Sequence, residues 1–403
     1  MTSTPAGPRR YRWAILAGGV VAQASFSAIL LGLPAIAPAL RHGYDLTLPQ
    51  VGVVLAALNF GLVATLLPWG IVADRIGERA VLATGLTGCA ASLVVAGLTS
   101  SYAGLVAALA AAGACGGGTQ SASGRAVMRW FGPEERGLAL GIRQTAVPLG
   151  GAVAAGVLPA LSSHVSLRAA FLGLAAGCCA AGVVGGLLLR PEAEEDHSGL
   201  TKPLRDARVW RLCVASTFYV TTQLGLIGFL VLFLHDARGL STAAAAAVLA
   251  VTEVLGGAAR IAAGRWSDRL GARIVPLRSL ALVLAFAVAA AALLVHSTLW
   301  LEVPALVAAG TLALSWNGLS FTAAAEAAGR ARSGAAIGLQ QTFLSAGGIV
   351  APIGFAALVH ATSWRLAFGL AALSPLVGYA LLEPLSERKP ASPNGRASNA
   401  RAS

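Results

Sequence analysis

The chain has 403 residues, of which 56% are hydrophobic and only 11% charged, and its mean hydropathy is +0.74. A soluble domain of ordinary composition has about a quarter of its residues charged, so this composition excludes a water-soluble globular protein. The net charge of +12 raises nucleic acid as a partner, but the placement of the basic residues, given below, argues against it.

Apolar runs of roughly 20 residues with few charges read as membrane spans. Only helices and closed barrels satisfy their backbone groups inside lipid. The runs here are rich in Ala, Leu, Val and Gly and are too long for barrel strands. The expected fold class is therefore an all-α membrane protein with twelve transmembrane helices. In chain order the spans are 13–38, 49–73, 80–99, 103–128, 137–160 and 168–189, then 210–234, 243–265, 274–296, 301–326, 334–359 and 366–383. The first span follows "RRYRW" and contains Ala35-Ile36-Ala37, which together resemble a cleaved signal. Its apolar run is too long for a signal core, and the span is read as retained. The glycines of "GACGGGTQSASG" (113–124) lack the Lys-Ser/Thr ending and the preceding strand of a phosphate loop, so they read as close helix packing. The five cysteines lie in or beside spans, with neither metal-ligand spacing nor a disulfide framework, and are expected to pack.

One sizeable polar break interrupts the interior, "RPEAEEDHSGLTKPLRDAR" at 190–208. It divides the chain into a six-helix bundle over 1–190, a cytoplasmic linker over 191–208 and a second six-helix bundle over 209–384. The Ser-, Pro- and Arg-rich tail over 385–403 is expected to be disordered in the cytoplasm. With the N-terminus inside, the outer loops hold only Arg41, Arg168, Arg238 and Arg365 among the Lys and Arg residues. Nearly all the rest fall inside, which is the positive-inside pattern of a cell-membrane protein with both termini cytoplasmic. The basic charge is thus topological, and the lipid bilayer, not nucleic acid, is its partner.

The two halves repeat one another. "GIRQTAVPLGG" (141–151) returns as "GLQQTFLSAGG" (338–348), and the offset that takes Gly141 to Gly338 also takes Arg168 to Arg365. A nearly equal offset takes "GIVADRIGER" (70–79) to "GRWSDRLGAR" (264–273). Two parallel six-helix repeats are an architecture of secondary transporters, with the site near the midplane between them.

At these motifs the sequence resembles the major facilitator superfamily over essentially its whole length. The first copy of the loop signature is Gly70, Asp74, Arg75, Gly77 and Arg79, and the second is Gly264, Asp268, Arg269, Gly271 and Arg273. "WFGPEERGLALG" (130–141) is also typical of the family. The resemblance implies a monomeric carrier whose loop network latches the cytoplasmic side. It also implies that spans one, four, seven and ten line the cavity, with three, six, nine and twelve at the periphery.

The intramembrane amides agree with that implication. They are Gln23, Asn59, Gln120, Gln144, Gln223, Asn317, Gln340 and Gln341, and spans three, six, nine and twelve contain none. Polar side chains at membrane depth face protein or a watery path. Gln23, Gln120, Tyr219, Gln223, Trp316, Asn317 and Gln340 are accordingly expected to contact substrate, with bonding between helices the competing reading of each. Charges inside spans are costlier, about 2.5–3.5 kcal/mol at the centre of a helix on insertion scales. Arg125 lies near a helix end and can snorkel. Arg260 is assigned to the gate with the second loop, and Glu326, beside Arg330 and Arg332, to an ion pair of the same gate. Arg143 and Glu253 lie deeper, and their repeat partners are the neutral Gln340 and Asn59. The repeat sets the fold, and its departures mark the site: Arg143 to bind an anion, Glu253 to couple transport to protons. A structural brace is the competing reading of both.

The expected function is secondary active transport of a small molecule by alternating access, proton-coupled, with an organic anion such as a monocarboxylate favoured. A proton-coupled drug or metabolite exporter is the alternative; "AVPLGGA" (146–152) resembles the helix-five motif of such exporters in Pro148, Gly150 and Gly151, but Val147 before the proline departs from it and weakens that reading. A non-transporting sensor is a further alternative. No nucleophile–base set, metal cluster or cofactor loop is present in the sequence, so neither an enzyme nor a cofactor is expected.

Overall fold

A computed structural model of the chain describes residues 11–131, 136–188, 206–329 and 333–385. Among these residues there is no strand, and twelve helices are long and apolar enough to cross a membrane. They are α1 (Tyr11–Gly43), α2 (Leu48–Leu66), α3 (Arg79–Leu98), α4 (Tyr102–Thr119), α5 (Ile142–His164) and α6 (Leu167–Leu188) in the first half. In the second half they are α7 (Ala207–Ala237), α8 (Thr242–Leu270), α9 (Ile274–Leu293), α10 (Leu299–Ala328), α11 (Ala336–Ala361) and α12 (Trp364–Leu382). Every span read from hydropathy is present, with ends displaced by up to nine residues. The linker placed at 191–208 and the tail at 385–403 fall almost wholly outside the described residues.

The signature loops form sharp reversals for a stated reason. Helix runs from Leu48 to Leu98, broken only at Gly77, whose φ of 77° and ψ of 164° are far from helical. A Cβ there would meet nothing within 4 Å, so the glycine serves the backbone angle and not close packing. Its repeat partner Gly271 sits at φ 60° and caps α8 in the left-handed region. Both loops therefore place their glycine at positive φ, Gly77 extended and Gly271 as a left-handed cap.

The glycines of α4 do what was expected of them. A Cβ on Gly113 would lie 1.9 Å from the Leu58 carbonyl oxygen, and one on Gly61 would lie 1.8 Å from that of Ala110. α2 and α4 thus touch backbone to backbone, as small residues permit. Gly116 in turn receives the ring of Phe26 from α1.

Two seams join the halves, α5 on α8 and α2 on α11. The repeat relates α2 to α8 and α5 to α11, so each seam is the image of the other. At one end of the bundle the halves also meet through Leu33–Ile36 of α1, which packs on α5, α7 and α8. Pro34 falls within this tightened stretch and Pro38 in the first turn of the helix that follows, Ala37–Gly43, whose last turn holds Arg41 in an ion pair with Asp236 at the end of α7.

Gly61→Ala should overpack α2 against α4 and cost roughly 1–3 kcal/mol. Gly156→Ala, where a Cβ would meet nothing within 4 Å, should be silent. Apparent melting temperatures of the two variants in detergent check the contrast, and equal melting would refute it.

Candidate functional site

Arg143 is 7% exposed, and three helices hold it. Its Nε donates to Ser123 Oγ of the helix continuing α4 at 3.0 Å, and one terminal nitrogen donates to Gln23 Oε1 of α1, also at 3.0 Å. Its other terminal nitrogen lies 3.4 Å from Gln144 Oε1, and Gln23 Nε2 donates onward to Ser27 at 3.2 Å.

The second half builds the same bridge without a charge. Gln340 of α11 donates from Nε2 to Ser320 of α10 at 2.6 Å and to Ser216 of α7 at 3.1 Å, and the two serines bond one another at 2.6 Å. The offset that takes Arg143 to Gln340 also takes Ser123 to Ser320. Each half is therefore braced at the same three helices by one side chain from the fifth. A brace is needed at this position, and a guanidinium is not.

Apart from Gln120, the remaining expected substrate contacts lie in the second half. Asn317 Nδ2 donates to Gln223 Oε1 at 3.0 Å, joining α10 to α7. Tyr219 and Trp316 stack with ring centroids 5.2 Å apart, and both are buried in the core. The Tyr219 hydroxyl donates to the Leu277 carbonyl of α9 at 3.1 Å. The expected residues thus gather as one cluster in each half, with the aromatic pair packed inside the second. The side chain of Gln120 lies outside the described residues.

Helix α10 is broken in mid-course: one helix ends at Ser315 and the next starts at Asn317, with Trp316 between. Interrupted helices at membrane depth expose backbone polar groups that something must satisfy. Here Arg260 Nε donates to the Leu314 carbonyl at 3.2 Å. Arg260, assigned from sequence to the second gate loop, is instead buried among α5, α8 and α10. Its terminal nitrogen donates across the seam to the Gln144 carbonyl of α5 at 3.2 Å. The reason lies four residues on, at Pro148, which has no N–H to return to that carbonyl. A proline four residues after an intramembrane glutamine was a signal available in the sequence.

Glu253 is fully buried in α8, and neither carboxylate oxygen has a hydrogen-bond partner among the described residues. Its carboxyl carbon lies 3.2 Å from where a Cβ on Gly151 of α5 would sit. In the image seam Asn59 covers Gly348 in the same way, and its amide donates to the Gly348 carbonyl at 3.4 Å.

Of the gate residues, Arg273 binds Asp268 at 2.6 Å and Glu326 at 3.1 Å. Burial opposes the charge on Arg273, but the hydrogen bonds to Glu326 and Asp268 outweigh it and raise its pKa. These contacts tie α8, α9 and α10 of one half together. Arg79 is exposed, and Arg269 falls in the last turn of α8. Gly70 lies within the helix of Leu48–Leu98, and the side chains of Asp74 and Arg75 lie outside what the structure describes. Sequence reasoning passed over the pair Arg41–Asp236, which joins the halves at the opposite end, with His235 Nδ1 2.7 Å from Asp236 Oδ1. Opposite charges at the ends of the repeat-related helices α1 and α7 were the sign of it.

Comparison with known proteins agrees with this architecture. The Major Facilitator Superfamily profile matches residues 15–352, and the chain belongs to that family of membrane transporters. An uncharacterized MFS-type transporter of Mycobacterium tuberculosis is 34% identical over 387 residues, covering 93% of this chain and 86% of that protein. The probable sulfoacetate transporter SauU of Cupriavidus necator is 26% identical over 371 residues, covering 82% of this chain and 84% of its own. In fold, the chain is similar to a bacterial homolog of the human lysosomal transporter Spinster, solved inward-facing and unoccupied. The TM-score is 0.78 at 16% identity, over 93% of this chain and 97% of the other. The protein is a membrane transporter of a small molecule and not an enzyme.

If Arg143 is a brace as well as a charge, Arg143→Gln should rebuild the bridge as Gln340 does, whereas Arg143→Ala should strand Ser123 and Gln23. The alanine variant should be the less stable of the two by about 1–3 kcal/mol, the cost of buried groups left unsatisfied. Parallel melting curves measure the difference, and identical curves would remove the brace.

Proposed function

We propose that the protein is a proton-coupled carrier of small organic anions in the cell membrane, working as a monomer by alternating access. The observation that carries this reading is the charge at Arg143. The second half makes the same brace with a neutral glutamine, so the guanidinium is surplus to packing. A buried arginine stays charged and grips carboxylates or phosphates through two donors. Gln23 and Ser123 hold it at the junction of α1, α4 and α5, where an anion entering between the halves would meet it. The likeness to a probable sulfoacetate transporter supports an anionic cargo, since sulfoacetate is itself a small organic anion.

Glu253 supplies the proton site in this reading. An ionised carboxylate with no donor or cation in contact is costly in a dry seam, and the neutral acid is not. Shuttling between the two as the seam opens and closes would tie solute movement to protons as a symport. The positive-inside pattern supports an outward Arg41 end and cytoplasmic termini. With Arg41 and Asp236 paired, the outer end is the closed one. The proline and glycines at 148–151 favour an exporter as the rival, whose cargo would be cationic or neutral.

A screen of the detergent-purified protein against sulfoacetate, short monocarboxylates and lipophilic cations tests the reading. A ligand at about 100 times its Kd stabilises the folded state by about 2.7 kcal/mol. Stabilisation by an anion, lost in Arg143→Gln while the variant's unliganded melting is kept, is the expected result. Stabilisation only by cations, unchanged in the variant, would reject the anion carrier in favour of the exporter. In proteoliposomes, Glu253→Gln should retain exchange of the identified solute and lose its acceleration by an imposed proton gradient. A gradient effect that survives the substitution would exclude Glu253 as the proton site.

A further inference from the structure

The two seams between the halves are images of one another, and they differ at three linked positions. Where α5 has Pro148, α11 has Ser345; where α8 has Glu253 and Arg260, α2 has Asn59 and Leu66. In the α2·α11 seam Ser345 keeps its N–H and Leu66 donates nothing, so the seam's polar contact is the neutral bond from Asn59 to Gly348. In the α5·α8 seam Pro148 leaves the Gln144 carbonyl without its helical donor, and Arg260 takes that carbonyl from across the interface. The same guanidinium holds the Leu314 carbonyl beside the break in α10. The Pro148 ring also fills the space over Gly257, 3.3 Å from where a Cβ would sit.

Glu253 and Arg260 are seven residues apart, two turns along one face of α8 and about 10 Å in rise. An arginine side chain on a helix leans toward the N-terminus, which is the direction of Glu253. The Glu253 carboxyl lies over Gly151 of α5, a glycine that Leu31 of α1 also covers. Among charged and titratable groups on the surrounding helices, Arg143 of α5 is held by Gln23 and Ser123. Arg41 of α1 is held by Asp236, and His235 of α7 lies beside that pair. The Tyr219 hydroxyl of α7 is bonded to Leu277. Glu302 of α10 is bound to Arg238 and Glu326 to Arg273. Arg260, two turns along the same face of α8, is the buried charge whose hydrogen-bond partners among the described residues are backbone carbonyls and not an acid.

We propose that Arg260 is a positioning residue that converts the charge state of Glu253 into the opening of the α5·α8 seam. This rests on the proton-coupled reading above. With Glu253 as the acid, Arg260 stays on the Gln144 and Leu314 carbonyls, which closes the seam and splints the break in α10. When the acid O–H breaks and the proton passes to water, the carboxylate draws the guanidinium onto itself. The two carbonyls lose their donor, and α5 and the α10 break loosen together. The neutral α2·α11 seam does not respond and acts as the fixed hinge. No bond other than O–H is broken, and the pair that forms is neutral overall.

Hydrogen-exchange protection of the full chain in detergent, corrected for intrinsic rate, needs no identified solute. In the native protein, peptides over 141–149 and 312–320 should lose roughly tenfold in protection from mildly acidic to mildly alkaline buffer, while 338–346 does not change. Glu253→Gln should stay protected in both buffers, and Arg260→Leu, which installs the residue of the image seam, should stay loose in both. Pro148→Ala, a substitution that only completes a helix, returns an N–H to Gln144 and should hold 141–149 while 312–320 still responds. A fall that persists in Glu253→Gln, full protection in Arg260→Leu or equal loosening at 338–346 would overturn the proposal. So would no pH response in the native protein. Gradient-driven exchange that fails in Glu253→Gln beside such a result would leave the proton reading standing and remove only the role of Arg260.

Discussion

Inside a spanning bundle, a polar group must find its partner within the bundle, because lipid offers none. The rest of this structure can be derived from how its two halves meet that demand. Each half places one long polar side chain on its fifth helix and bonds it to the first and fourth. Each seam places one polar side chain of a second helix over a glycine of a fifth. The braces and the Asn59 bond give partners to side chains the helices bury, whereas the Glu253 carboxyl has none among the described residues. The glycines between α2 and α4 then let the backbones close to contact.

The repeat that builds the fold also isolates what the fold does not need. Gln340 shows that a glutamine is sufficient for the brace, and Asn59 shows that an amide is sufficient for the seam. Arg143, Glu253, Arg260 and Pro148 depart from a pattern that already works without them. Each departure carries an energetic burden: a guanidinium away from water, a carboxylate without a donor, and a helical carbonyl without its N–H. Three of the four are concentrated in one seam, α5·α8. The image seam is neutral throughout, so one seam is built to change while the other is built to stay.

Much of this was legible in the sequence. Hydropathy located all twelve spans because a membrane helix is long and uniformly apolar. The duplicated "DR-x-G" loops and the echo around Arg143 gave the two-fold arrangement and singled out Arg143 and Glu253. What could not be read was direction within a helix. Tyr219 and Trp316 fall on presumed lining helices, yet they stack on each other in the core, because composition does not say which face a ring presents. Arg260 stands one turn from a gate loop in sequence, but it turns inward to a carbonyl that only a proline on another helix has freed. The pair Arg41–Asp236 was hidden for a similar reason, since neither residue stands in a motif and only the closure of the bundle brings them together.

The central claim is that the shared residues make the fold and the departures make the transporter. A chain carrying Arg143→Gln, Pro148→Ser, Glu253→Asn and Arg260→Leu would have each site occupied by the residue of its own image. Counterflow of sulfoacetate and short monocarboxylates in proteoliposomes is the measurement to make on this chain and on the native one. The account predicts that the native protein exchanges at least one of these anions and that the symmetrised chain, folded and inserted equally well, exchanges none. Exchange of the same anion at the native rate by the symmetrised chain would contradict it.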